Sequence, residues 1–183
     1  MTGSKEDFKY NIYSLSSVDV DSLAHMAYIE NDSEAMCALG YCLENGINTE
    51  ENKEEAFNLY QKAASLGEVN GIYNVGVCLG FAIGTNKERD AKGWLENIKT
   101  AAERGFAPAQ NDYGWAFECA KEKGFFDIKD DKEAFCWYLK SAMQDHETGI
   151  KNVIRCYEEG IGTQIDLQKA DEWRSHLHCH DDI

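Results

Sequence analysis

Proline is almost missing from the sequence, with one residue, Pro108, in 183. Proline breaks helices and donates no backbone hydrogen bond, so its scarcity beside many Ala and Glu predicts a helical chain. Cations are scarce as well: 18 Lys and Arg stand against 33 Asp and Glu, a net charge of −15. Phosphate recognition needs clustered Lys and Arg, which excludes DNA, RNA and anionic membranes as default partners. A basic protein surface is the natural complement. No run of about 18 apolar residues occurs, so no helix of this sequence spans a bilayer. Met1 to Tyr13 is polar and mixed in charge. Without the basic start and apolar stretch of a secretory leader, it predicts a cytoplasmic protein.

Catalytic signatures are missing too. The sequence has no G-x-S-x-G turn, no H-E-x-x-H pair and no glycine-rich phosphate cradle. Gly160-Ile161-Gly162 reads as loop punctuation. Acidic clusters at Glu50, Glu51, Glu54 and Glu55, and at Asp127, Asp130, Asp131 and Glu133, fall where helices should begin. There, negative charge complements the helix dipole. The expectation is a protein that is not an enzyme and carries no cofactor, with a metal-dependent or acid–base enzyme as the remote alternative.

What is present is a repeat. With 43% hydrophobic and 11% aromatic residues the chain can bury a core. Four segments align: Ala35 to Gly46, Gly71 to Ala82, Ala109 to Ala120 and Gly149 to Gly160. Gly40, Gly76, Gly114 and Ile154 form a reference column with steps of 36, 38 and 40 residues, the period of two-helix solenoid units. One position earlier stand Leu39, Val75, Tyr113 and Val153. Two later stand Cys42, Cys78, Ala116 and Cys156, and three later Leu43, Leu79, Phe117 and Tyr157. These offsets lie on one helix face. A second helix follows each first one. Its stripe is Ala56, Leu59, Tyr60, Ala63 and Ala64 in the first unit, and Ala134, Trp137, Tyr138, Ser141 and Ala142 in the third. Gly67 and Gly105 read as helix stops and Pro108 as a helix start. Asp19 to Asn31 predicts an isolated helix capping the stack. The loop between Phe117 and Ala134, which carries Phe125 and Phe126, is longer by four residues than its counterpart between Leu43 and Ala56. In the second unit the alignment slips at Glu96 to Thr100, which predicts a longer second helix.

The pattern resembles the Sel-one-like repeat family, relatives of the tetratricopeptide solenoids. The resemblance is carried by Ala35, Leu39, Gly40 and Gly46, then Ala56, Tyr60, Lys62, Ala63, Ala64 and Gly67. The third unit adds Asp130, Ala134, Trp137, Tyr138 and Lys140, and the fourth Gly160, Gly162, Asp166, Lys169, Ala170 and Trp173. It covers about residues 32–180. The resemblance implies an all-α fold, a right-handed α-solenoid (alpha-alpha superhelix) of stacked antiparallel helix pairs. The expected organisation is an N-terminal segment and capping helix over 1–31, then four repeats over 32–67, 68–105, 106–146 and 147–183, all in one domain.

Seven cysteines are present. Cys42, Cys78 and Cys156 share one structural column and read as small buried residues. Stacked helices lie ~8–10 Å apart, whereas a disulfide needs Cα atoms within ~7 Å, so bridges between equivalent columns are not expected. His176, Cys179 and His180 would share a helix face at i, i+3 and i+4, a weak candidate for zinc or nickel. Against it stands a polar, fraying last helix, and no metal is assigned.

Helical solenoids commonly offer the face lined by their first helices to a partner. Positions outside the packing columns supply the candidates. One past the reference come Tyr41, Val77, Trp115 and Arg155. Three before it come Cys37, Tyr73, Asn111 and Lys151, and four past it Glu44, Gly80, Glu118 and Glu158. The partner-binding candidates are Tyr41, Glu44, Tyr73, Val77, Trp115, Glu118, Arg155 and Glu158, with Phe125 and Phe126 on the long loop. Tyr, Trp and Arg are favoured anchors of binding hot spots, and acids would steer a basic partner. The resemblance implies an adaptor, scaffold or regulator, and some small bacterial members resemble immunity proteins. The reading is a non-catalytic protein that binds a basic partner, as an immunity protein neutralising a toxin. The alternative is a general adaptor in signalling or secretion assembly. Oligomeric state is left open.

Overall fold

The computed structural model describes residues 19–119 and 129–178, and among them the chain forms nine α-helices and no strand. The helices are α1 (Val20–Tyr28), α2 (Ser33–Asn45), α3 (Lys53–Ser65), α4 (Val69–Phe81), α5 (Ala91–Glu103), α6 (Ala107–Cys119), α7 (Asp131–Ala142), α8 (Glu147–Glu159) and α9 (Leu167–His178). They gather into two compact units, one ending at Arg104 and the other beginning at Gly105. The fold is an all-α solenoid of helix pairs.

In the N-terminal unit α2 packs on α3, α3 on α4 and α4 on α5, with α1 covering α2. Leu23 and Ala27 of α1 are buried against Met36, Leu39 and Leu59. In the C-terminal unit α6 packs on α7, α7 on α8 and α8 on α9. Within each unit the first helices also touch across repeats, α2 with α4 and α6 with α8, whereas the second helices make no comparable contact. A layer of helices held closer together than its partner layer is the inner one, so the first helices line the inner side of each unit.

The repeat columns become the core. Leu39, Val75, Tyr113 and Val153 are buried, as are Cys42, Cys78, Ala116 and Cys156. The column three past the reference reaches the loops. There the carbonyls of Leu43, Leu79, Phe117 and Tyr157 accept the N–H of Asn52, Asp90, Asp130 and Asp166 at 2.8, 2.9, 3.0 and 2.9 Å. Those four residues sit just before the second helices. Their side chains cap them, taking the N–H of Glu55, Gly93, Glu133 and Lys169 at 3.0, 2.8, 3.1 and 3.1 Å. Each cap contributes about 1 kcal/mol. The acids grouped at these helix starts therefore include structural ones.

Helices α2 to α6 and α8 are all 13 residues long, so repeat length varies elsewhere. The second helix of the second repeat is not longer: α5 matches α3, and the two additional residues lie in the loop between α4 and α5. The four additional residues of the third repeat likewise fall between α6 and α7. Gly67 and Gly105 end their helices at φ +88° and +92°, and Asp145 takes that role after α7 at φ 58°. Gly84 and Gly162 have φ +64° and +68°, and a Cβ on either would lie 1.9 Å from a backbone carbonyl, that of Lys53 or Asp131. Asn48, at the same position of the first repeat with φ 53°, precedes any complete helix pair and carries its side chain.

Candidate partner-binding surface

Of the expected surface residues, Tyr41 and Glu44 lie on α2, Tyr73 and Val77 on α4, Trp115 and Glu118 on α6, and Arg155 and Glu158 on α8. All are half-buried except Glu158, which is exposed. Each unit thus presents its own share of the aromatic and acidic positions on its first-helix layer. Phe125, Phe126, Cys179 and His180 lie outside the described residues. His176 is exposed with its ring against Trp173, and among the described residues no cluster of three metal-ligating side chains forms.

The column four past the reference has a role the sequence did not reveal. In the first and third repeats its glutamate accepts a hydrogen bond from a buried tyrosine of the second helix: Tyr60 Oη donates to Glu44 Oε2 at 2.9 Å, and Tyr138 Oη to Glu118 Oε2 at 2.7 Å. The reference glycine makes the room. A Cβ on Gly40 would stand 2.6 Å from the Tyr60 ring, and one on Gly114 would stand 2.8 Å from the Tyr138 ring. Burial is the larger influence raising the Tyr60 hydroxyl well above its ordinary value, and the Glu44 carboxylate adds to it.

The other two repeats solve the same space differently. In the second, Gly80 stands at the glutamate position. The Trp94 indole fills it, 2.7 Å from where a Cβ would be, and Ile98 takes the tyrosine's place beside Gly76. In the fourth, Ile154 replaces the glycine and Arg174 stands at the tyrosine position, forming an ion pair with Glu158. In the fourth repeat glycine and tyrosine are lost together, whereas the second keeps Gly76 without the tyrosine, since an added Cβ there would stand 2.9 Å from Asn97 Cβ.

Glu118 is further closed by Arg155 from the next first helix. Arg155 Nη1 and Nη2 donate to Glu118 Oε1 and Oε2, each at 2.7 Å. Burial alone would raise the Glu118 carboxyl, but the bonds from Arg155 and Tyr138 outweigh it and hold the group below its ordinary value. The same bonds raise Arg155. Asn152 Nδ2 donates to Asn111 Oδ1 at 2.8 Å beside this pair, tying α8 to α6.

Further buried groups bear on chemistry. Burial first, with smaller electrostatic contributions, pushes the Cys78 and Cys156 thiols up to about 12. Thiols so protonated are poor nucleophiles. The sequence also hid His146, which caps α8: Gly149 N–H donates to its Nδ1 at 3.3 Å. Ser141 Oγ lies 2.9 Å from the same nitrogen and donates to the Ala107 carbonyl at 2.8 Å. Ser141 is 0% exposed and His146 4%, so this serine–histidine contact is sealed from substrate.

Tandem helix pairs with a variable inner layer define a helical-repeat protein. A family model for the Sel1 repeat matches residues 33–68, 107–146 and 149–173, just over half of the chain, and the chain belongs to that family. The stretch between the first two matches is the second repeat, where Trp94, Ile98 and Gly80 replace the tyrosine–glutamate arrangement. Chitin synthase regulatory factor 2 of Schizosaccharomyces pombe is 29% identical over an alignment of 136 positions that covers 70% of this chain and 25% of that protein. Two solved structures share the fold. A protective antigen present in uropathogenic Escherichia coli strains, displaying an SLR fold, has a TM-score of 0.74 at 24% identity, covering 91% of this chain and 34% of its own. A Sel1 repeat protein from Oxalobacter formigenes has a TM-score of 0.73 at 23% identity, covering 89% and 45%. The chain spans about a quarter of the length of the curated relative and under half of either structure.

Proposed function

We propose that this chain is a protein-binding repeat module that takes a basic segment of another protein on its first-helix layer and performs no chemistry of its own. The observation that carries this is the composition of that layer. Tyr41, Tyr73, Val77 and Trp115 are half-buried on inner helices, next to the Glu44 and Glu118 positions. The reactive side chains support a binding role: the buried thiols are protonated, and the Ser141–His146 contact is closed. No described helix is long and apolar enough to cross a membrane. A cytoplasmic location suits the buried, unbridged Cys37, Cys42, Cys78 and Cys156.

Two forms of this function differ in the partner. Neutralisation of a basic toxin is supported by the net charge of −15. An adaptor or regulatory role is supported by the fission-yeast relative, a regulatory factor. Affinity purification from the native host identifies the partner, and titration of that purified partner tests the surface. Tyr41→Ala, Tyr73→Ala and Trp115→Ala should each weaken binding about tenfold or more, and added salt should weaken it further. Binding unchanged in all three variants overturns the proposal. Rescue of growth from a co-expressed toxic partner separates the immunity form from the adaptor form.

A further inference from the structure

The two Tyr–Glu pairs differ in one respect. Glu118 receives Tyr138 and also the fork of Arg155, while Glu44, among the described residues, receives Tyr60 alone. The residue of α4 that corresponds to Arg155 is Val77, which has no donor to offer. The two carboxylates otherwise stand alike. Each accepts its tyrosine through Oε2, and each raises the thiol of the next repeat's cysteine, Cys78 or Cys156. Glu44 Oε1 therefore has no hydrogen-bond donor among the described residues, on a half-buried side chain whose Oε2 is already fixed. Elsewhere the position is filled: Arg155 closes Glu118, Arg174 pairs with Glu158, and Gly80 has no carboxylate.

Resting on the protein-binding reading above, we propose that Glu44 and the adjoining Val77 receive an arginine side chain presented by the partner protein, in the place Arg155 occupies in the other unit. The chain supplies its own template. The Arg155 geometry shows that a carboxylate with Oε2 bound to a tyrosine hydroxyl still accepts a guanidinium in bidentate fashion. Val77 is short, apolar and half-buried, a surface for the aliphatic stem of an incoming arginine. Arginine is favoured over lysine because a planar fork matches both carboxylate oxygens, whereas an ammonium is a point donor.

The test is an NMR titration of the full chain with N-acetyl-arginine amide and, separately, N-acetyl-lysine amide. The arginine compound should shift the amides around Glu44, Tyr60 and Val77 saturably and bind more tightly than the lysine compound. Glu44→Gln should weaken it about tenfold, as expected for loss of one charge-assisted contact. Val77→Arg should abolish it, because the introduced guanidinium occupies the site. That variant should also resist denaturant better than the wild type, a gain absent when Glu44→Gln is added. Arginine binding that survives in Val77→Arg, or equal binding of the two compounds, overturns the inference. If partner binding still falls in Tyr41→Ala or Trp115→Ala, the protein-binding reading stands without it. If none of those variants matters, that reading fails instead.

Discussion

Replacing Arg155 by Met measures how strongly the inner layer is tied together. Met keeps much of the apolar stem and removes two hydrogen bonds of 2.7 Å to Glu118. A hydrogen bond to a charged group contributes about 1.5–3 kcal/mol, and an exposed ion pair about 0.2–1 kcal/mol. Side-chain exposures of 34% for Arg155 and 11% for Glu118 place this pair between those cases. The cost should be about 2 kcal/mol, below the ~3–5 kcal/mol of a stranded buried charge, because Tyr138 still holds the carboxylate. Urea unfolding at pH 7 reads it through tryptophan fluorescence, since Trp115, Trp137 and Trp173 lie beyond Gly105. Combined with Glu118→Gln in a double-mutant cycle, the coupling should be about 1–2 kcal/mol. The sign with pH follows from the lowered Glu118 value. A carboxyl held below its ordinary 4.5 adds stability above that pH and loses it as pH falls through the folded value. The gap between wild type and Arg155→Met should therefore narrow as pH falls below 4.5. A coupling under about 0.5 kcal/mol, or a gap indifferent to pH, refutes the reasoning.

Two glycines at nearly equal φ should respond unequally to alanine. Gly162→Ala drives a Cβ to 1.9 Å from the Asp131 carbonyl and should cost about 3 kcal/mol. Gly46→Ala, with nothing nearer than 3.7 Å, should cost about 1 kcal/mol, and equal losses in denaturation would refute the docking argument. His146 should make stability pH-dependent. Burial lowers its value from 6.5 against the smaller opposing effect of Glu147, so its contribution is present above pH 6.5 and is lost as pH falls below it. His146→Asn keeps a capping acceptor without that titration, and should flatten the urea midpoint between pH 7 and 5 relative to the wild type.

The repeat register was legible because helix packing restricts the same offsets every time. Leu39, Val75, Tyr113 and Val153 could be recognised as core from spacing alone, and all are buried. The longer loop of the third repeat followed from the same register. The second repeat was misread at α5 because its signal residues had changed together. Trp94 occupies the small-residue position and Ile98 the tyrosine position, so the pattern slipped while the helix kept its length. At the candidate surface the sequence located the glutamate column but not its occupancy. Whether Glu118 is available depends on Tyr138 and Arg155, 20 and 37 residues away in sequence, and no local pattern reports such pairings. The Tyr41, Val77, Trp115 and Arg155 column is outside the packing restriction, so spacing could place it and not assign its use.

That unrestricted column decides what each repeat can offer. The packing columns must hold small or apolar residues because neighbouring helices approach there, and part of the acid is committed to helix caps such as Asp90, Asp130 and Asp166. The total of −15 therefore overstates the charge open to a partner. One past the reference, an arginine satisfies the preceding repeat's glutamate from within, as Arg155 does for Glu118. A valine at the same place has no donor for that carboxylate, as Val77 has none for Glu44. On the proposal above, a single side chain would distinguish an internal tie from a recognition element. Exchanging Val77 for arginine should therefore stiffen the N-terminal unit and silence its surface in the same step.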